Sequence, residues 1–249
     1  MKTFIINLER ESEKRENIKK ECQKLKLDFE IYNAVDGYTL SESFIQNIVY
    51  DYPNNYLTKG EIGCALSHIN VYKKIIEYNL PYALIIEDDT LFDTKLPDFL
   101  KAFEEKNNKK GIFLLTGDFD YLVNKKLNLN NFDLFEVTKA VRASGYIITK
   151  DAAQKLINFL FPVRYEADMF KVFRLCAGIK LYATLPSLIT TNEESLIKSS
   201  IQTDRAPKIK LRSDYRKKLF KKDKKKRMVS LWFRKQFIQR FEKTKHYDD

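Results

Sequence analysis

The sequence predicts an α/β fold, a mixed sheet flanked by helices, followed by a basic helical tail at its C-terminal end. Three observations carry that expectation. Short apolar runs alternate with stretches of helical periodicity as far as residue 204, the pattern of sheets whose strands are joined through helices. One of those runs, Tyr82–Ile86, is followed at once by Glu87, Asp88 and Asp89, which reads as a buried strand that surfaces where its charge begins. The net charge of +11 is also unevenly placed: from Arg205 onward there are 18 Lys+Arg against 5 Asp+Glu, which leaves residues 1–204 at a net −2.

Phe4–Leu8 is a short apolar strand. Ser12 then caps a helix to about Leu27, with Ile18, Cys22 and Leu25 on one face. Phe29–Tyr32 is a second strand that leaves through Asp36-Gly37, a turn signal, although an acid at a strand's end is also placed to hold a ribose hydroxyl. Residues 38–58 have weak periodicity and break at Pro53. Thr58 with Glu61 makes a capping-box pattern. The helix it opens runs to about Asn79 on an apolar stripe of Ile62, Leu66, Ile69, Tyr72 and Ile76, with Ser67 and His68 beside the stripe.

Pro81 ends that helix and the acidic strand follows. Residues 98–106 read as an exposed helix, Ile112–Leu115 as a buried strand ending at Thr116-Gly117-Asp118, and Lys125–Asn131 as a polar loop. Phe135–Val137 and Tyr146–Thr149 read as strands, and Asp151 opens a helix whose inner face is Ala152, Leu156, Ile157 and Leu160. Ile179–Leu185 is the last strand, stopped by Pro186. A polar stretch from Thr190 to Thr203 then marks a boundary between a domain of residues 1–204 and a tail of 205–249.

A hydrophobic content of 44% with only 7 glycines and 6 prolines excludes a repeat or low-complexity architecture. Cys22, Cys64 and Cys176 are scattered, odd in number and without metal-ligand spacing, so they are expected as reduced core thiols. The apolar run after Met1-Lys2-Thr3 is far too short for a signal peptide, and no apolar stretch approaches about 18 residues. The expectation is a cytosolic protein that does not span a membrane.

In an open α/β sheet the carboxyl ends of the strands line the ligand crevice. Glu87, Asp88 and Asp89 at such an end can hold Mg²⁺ or Mn²⁺, ions that bind one or two carboxylates together with a substrate's phosphates. Taken alone, the same three acids also read as an ordinary acidic turn.

The segments FIINLER (Phe4–Arg10) with Arg15, AVDG (Ala34–Gly37), LTKGEIGCALSH (Leu57–His68), ALIIEDD (Ala83–Asp89) and GYIITKDAAQKL (Gly145–Leu156) occur in that order. On them the chain resembles bacterial glycosyltransferase family 25, the lipopolysaccharide-biosynthesis transferases. The resemblance implies a GT-A-like, Rossmann-type fold, a nucleotide-sugar donor such as UDP-galactose or UDP-glucose, and Mn²⁺ or Mg²⁺. It implies an inverting transfer of a hexose to a lipid-linked lipopolysaccharide or lipooligosaccharide glycan. On the same basis Glu87 and Asp89 are expected at the metal. Asn7, Leu8, Arg10, Arg15, Asp36, Ser67, His68 and Asp88 are expected at the donor, with His68 equally readable as a structural histidine and Asp88 as pointing back into the fold. The catalytic base is expected in Arg164-Tyr165-Glu166-Ala167-Asp168, with Asp168 first and Glu166 its rival.

In the tail, residues 208–227 are dense in Lys and Arg, and Met228–Phe241 interleaves Leu231, Trp232, Phe233, Phe237, Ile238 and Phe241 with Arg234, Lys235 and Arg240. Aromatics on a cationic helix suit an anionic membrane surface, which would hold the protein on the inner face of the cytoplasmic membrane beside a lipid-borne acceptor. The other readings are a helix packed on the domain, a nucleic-acid-binding tail, and a non-catalytic relative that only binds sugar nucleotide. Nothing else in the chain resembles a nucleic-acid module.

Overall fold

The computed structural model describes residues 1–191, 208–237 and 242–248. In chain order they form β1 (Lys2–Asn7), α1 (Ser12–Lys24), β2 (Asp28–Asn33), α2 (Glu42–Ile48), α3 (Lys59–Glu77), β3 (Tyr82–Glu87), β4 (Thr90–Phe92) and α4 (Leu96–Lys106). There follow β5 (Ile112–Leu114), β6 (Phe119–Leu129), β7 (Phe132–Ala140), β8 (Gly145–Thr149), α5 (Lys150–Leu160), and α6 (Phe170–Val172), which runs into a π-turn over Phe173–Ala177. The last elements are β9 (Leu181–Leu185), β10 (Ile189–Thr191), α7 (Ile209–Lys225), α8 (Met228–Phe237) and β11 (Thr244–Tyr247).

Nine strands make one mixed sheet in the order β11-β6-β7-β9-β5-β8-β3-β1-β2, and β4 pairs with β10 apart from it. The strands β2, β1 and β3 are mutually parallel, while β8 runs antiparallel between β3 and β5. Side chains alternate across the sheet as a period of two requires. Phe4, Ile6, Ala83 and Ile85 enter the core that α3 and α5 cover, while Ile5, Leu84 and Ile86 enter the core covered by α1 and α4. Both faces being covered is why these strands read as unbroken apolar runs.

The structure departs from the sequence expectation where polarity hides burial. Lys125–Asn131 is not a loop: Lys126–Leu129 pair with Phe132–Phe135 about a turn at Asn130, whose φ of 56° is the left-handed region that Asn tolerates. Leu127 and Leu129 face the core from between polar neighbours. Helix α4 is not exposed, because Phe99, Leu100, Ala102 and Phe103 form a buried stripe. The weakly periodic segment holds α2, capped by the Ser41 hydroxyl, which accepts the Phe44 amide at 3.3 Å.

The boundary expected between residues 204 and 205 lies outside the described residues, as do Ile238, Arg240, Phe241 and the side chains of Arg234 and Phe237. The described parts of the tail pack on the sheet domain. Helix α7 buries Arg212, Leu219 and Asp223, with the Tyr165 hydroxyl donating to Asp223 at 3.0 Å and the Tyr215 hydroxyl to Asp51 at 2.8 Å. Strand β11 adds an antiparallel edge to β6. Glu61 and Glu166 meet Arg212 and Arg216 of α7, and that pairing joins segments far apart in the sequence.

Candidate active site

A cleft of about 200 Å³ opens at the carboxyl ends of the parallel strands β1, β2 and β3. Leu8, Arg10, Asp36, Ser67, Glu87, Asp88 and Asp89 all line it, together with Tyr38, Gly60 and Cys64. Two glycines let its walls meet. A Cβ on Gly63 would stand 2.4 Å from the Val35 carbonyl oxygen and 2.7 Å from the Gly37 nitrogen, so α3 lies backbone to backbone on the turn after β2. The capping box of α3 is formed as expected, with the Thr58 hydroxyl accepting from the Glu61 amide at 3.2 Å and the Thr58 amide donating to Glu61 Oε2 at 2.9 Å.

Glu87 and Asp88 diverge as strand alternation demands. Glu87 continues the face of Ala83 and Ile85 and meets α3, with its Oε1 3.4 Å from His68 Nε2. Asp88 turns to the opposite face, where its Oδ2 accepts from Asn7 Nδ2 at 2.7 Å. Burial pushes the Asp88 carboxyl up to about 6, against the Asn7 hydrogen bond that lowers it. Asn7 is 1% exposed and also donates to the Glu11 carbonyl, while its own Oδ1 is buried without a hydrogen-bond partner.

His68 is buried under the cleft and does not line it. Its Nδ1 lies 2.7 Å from the Tyr146 hydroxyl, which lies 2.7 Å from the Tyr72 hydroxyl. An ionised Glu87 only accepts, so the 3.4 Å contact requires a proton on Nε2 and makes a neutral ring's Nδ1 the acceptor from Tyr146. Burial raises the Tyr146 phenol well above its ordinary value, so it keeps that proton. The sidedness of His68 thus serves Glu87.

Other expected donor residues have local partners. Ser67 is fully buried, accepting the Val35 amide and donating to the Gly63 carbonyl, both at 2.8 Å. It fastens α3 to the turn after β2. Arg10 pairs with Asp36 at the mouth of the cleft. Arg15 donates to Asn33 Oδ1 at 3.2 Å and does not line the cleft.

Asp168 and Glu166 line a second cavity, of about 580 Å³, whose other walls are the end of β7 and one face of α7. Glu166 is 5% exposed and receives both Arg212 and Arg216 on Oε1, while Arg212 also binds Glu61. Both guanidiniums thus occupy the Oε1 of Glu166, which keeps that oxygen from an acceptor hydroxyl. The two spaces share the first turn of α3, since Gly60 lines the cleft and the next residue, Glu61, binds Arg212.

The family model described as glycosyltransferase family 25 (LPS biosynthesis protein) matches residues 1–171. The chain belongs to glycosyltransferase family 25. It is 30% identical over 173 residues to procollagen galactosyltransferase 1-A of Xenopus laevis, a match covering 62% of this chain and 28% of that one. It is 27% identical over 221 residues to inactive glycosyltransferase 25 family member 3 of Mus musculus, covering 77% of this chain and 37% of that one. Among solved structures it is similar to a glycosyltransferase involved in the glycosylation of the major capsid of PBCV-1, at 9% identity and a TM-score of 0.35, with 67% of each chain covered. The chain thus spans well under half the length of these curated relatives.

In this family 25 chain the cleft also holds Cys64, which the sequence reading placed among the core thiols without metal-ligand spacing. Cys64 is a lining residue and not a core thiol; its sulfur, a His68 nitrogen and a Glu87 oxygen lie within 4.8 Å of one another. The four-residue step from Cys64 to His68 was the available signal; the third member comes from another strand. Glu87 and Asp89 offer oxygen ligands that fit a hard divalent ion, and the thiol and imidazole would suit a softer one. A second group, Asp118, His246 and Asp248, gathers where β11 joins β6. Arg212 and Arg216 carried no signal beyond their charge.

Proposed function

We propose that this chain is an inverting, metal-dependent hexosyltransferase of GT-A type that draws on a nucleoside-diphosphate sugar, UDP-galactose or UDP-glucose, and transfers to a lipopolysaccharide-type glycan. The observation that carries the reading is the convergence of six expected donor and metal residues, Leu8, Arg10, Asp36, Glu87, Asp88 and Asp89, from the ends of three successive strands on one cleft. Glu87 and Asp89 would hold Mn²⁺ or Mg²⁺, which when bound stabilises charge on the departing diphosphate. The N-terminal end of α3 adds backbone amides and a favourable dipole for phosphate at Gly60. Arg10 and Asp36 stand at the mouth for the sugar nucleotide, and His68 positions Glu87.

Inversion needs one carboxylate to take the acceptor hydroxyl's proton on the side away from the diphosphate. Asp168, in the neighbouring cavity, is the base in this reading; the two guanidiniums on Glu166 support it over its rival. Measuring hydrolysis of a panel of nucleotide sugars with Mn²⁺, with Mg²⁺ and in EDTA tests the proposal. Metal-dependent release from one UDP-hexose is expected, and equal release in EDTA would overturn the metal assignment.

The membrane reading of the tail has its support in α8, where Met228, Val229, Trp232 and Phe233 are each more than half exposed beside Lys235. Binding to anionic vesicles that falls sharply in Trp232→Ala is expected, and equal binding would refute it. A second reading, a sugar-nucleotide-binding protein without turnover, is favoured by the similarity to the inactive mouse relative. Donor binding with no transfer to any acceptor and no hydrolysis would establish it.

A further inference from the structure

Among the described residues, the cavity beside the cleft holds more positive charge than its acids balance. Lys139, Lys171, Arg212 and Arg216 line it with Glu166 and Asp168, and counting Glu61, which Arg212 also binds, four cations still stand against three carboxylates. Arg212 and Glu166 are each 5% exposed. Arg212 Nη1 and Glu166 Oε2 are nonetheless buried without a hydrogen-bond partner, which a purely structural ion cluster rarely leaves. Lys139 and Lys171 are exposed and make no ion pair among the described residues.

Because Arg212 and Arg216 share one oxygen of Glu166, their guanidiniums are held side by side. Paired planar forks suit a phosphate or carboxylate better than a neutral hydroxyl. The cavity also adjoins the acids of the cleft along two paths. One runs through Gly60 and Glu61. The other runs from Val141, a lining residue, to Ser144, whose carbonyl accepts the Glu87 amide at 2.9 Å. A second substrate placed here stands next to the donor without entering its cleft.

We infer that this cavity is the acceptor subsite and that it selects a saccharide bearing an anionic substituent, with α7 supplying the guanidinium donors. The word acceptor rests on the proposed transferase function; the binding it describes does not require turnover. The test uses the full chain and three probes, galactose 6-phosphate, glucuronate and neutral methyl galactoside, with affinity measured at low salt in the presence and absence of UDP. At least one anionic sugar is expected to bind about tenfold more tightly than the neutral one, the worth of one charge-assisted hydrogen bond. Which of the two binds better distinguishes phosphate from carboxylate. Arg216→Gln and Lys171→Gln should each remove most of that preference. Lys221→Gln, an exposed base elsewhere on α7, should leave it intact.

Equal affinity for neutral and anionic sugars would overturn the inference, as would displacement by UDP or an equal loss in Lys221→Gln. Failure of the transferase reading is read separately, as absence of metal-dependent nucleotide-sugar hydrolysis by the same preparation.

Discussion

The cleft at the ends of β1, β2 and β3 draws its lining from residues 6–89, whereas the cavity beside it joins residues 139–171 to residues 209–216 of α7. Both meet at the first turn of α3. The cleft is built from consecutive strand-and-helix units, so each side chain's place follows from where its own strand ends. The cavity is closed by ion pairs between segments far apart in sequence, Glu61 with Arg212 across 151 residues and Glu166 with Arg212 across 46. One region is positioned by backbone topology and the other by buried charge, and the two should fail differently when altered.

The largest effect is expected at the buried charge. Replacing Arg212 by Met leaves Glu61 and Glu166 buried without their shared partner, and removing one side of such a pair costs about 3–5 kcal/mol. Denaturant unfolding of Arg212→Met is expected to show a loss in that range. The double variant Arg212→Met with Glu166→Gln should recover part of it, because one stranded charge is gone. A loss below about 1 kcal/mol would mean that α7 is not held by this cluster, and the contrast between the regions would collapse.

Next in size is the chemistry of the cleft. Asp89→Asn removes a charge from the half-buried wall of the cleft and keeps the side chain's shape, so the fold should stand while hydrolysis falls on the order of 10²-fold, the scale of one lost electrostatic contact in a transition state. Asp168→Asn is expected to lower transfer to acceptor by about 10²-fold and to leave donor affinity near normal. Full turnover by Asp89→Asn would remove it from the metal site. Near-normal transfer by Asp168→Asn would take the base out of the second cavity.

The same contrast explains what could be read beforehand. The run Tyr82–Ile86 with its three acids announced both a buried strand and the cleft at its end, and Thr58 with Glu61 announced the start of α3. Alternation even separates Glu87 from Asp88, sending one toward His68 and the other toward Asn7. Illegible were the features set by partners distant in sequence. Lys126–Leu129 looked like a loop because its two inward leucines are flanked by polar residues, and the pairing with Phe132–Phe135 supplies the order. Ser67 looked like a ligand contact, yet its hydroxyl ties Gly63 to Val35. The run of Lys and Arg in the tail did not single out Arg212 and Arg216, whose partners Glu61 and Glu166 lie far away in the sequence.

The smallest expected effect joins the two ways of positioning a side chain. His68 comes from α3 and touches Glu87 from below the cleft, at a long 3.4 Å, while Tyr146 on β8 fixes its other nitrogen at 2.7 Å. Residues that orient a metal ligand typically contribute about 10- to 100-fold to metal affinity or activity, and the length of this contact puts His68 at the lower end. His68→Gln should therefore raise the Mn²⁺ concentration needed for half-maximal hydrolysis by about tenfold, with the rate at saturating metal much less changed. Tyr146→Phe, which removes only the hydroxyl that His68 accepts from, should move the same parameter in the same direction and by less. A merely structural histidine would instead lower the unfolding temperature and leave the metal requirement where it was. If both variants lose stability and neither shifts the metal dependence, His68 belongs to the core and Glu87 is set by its strand alone.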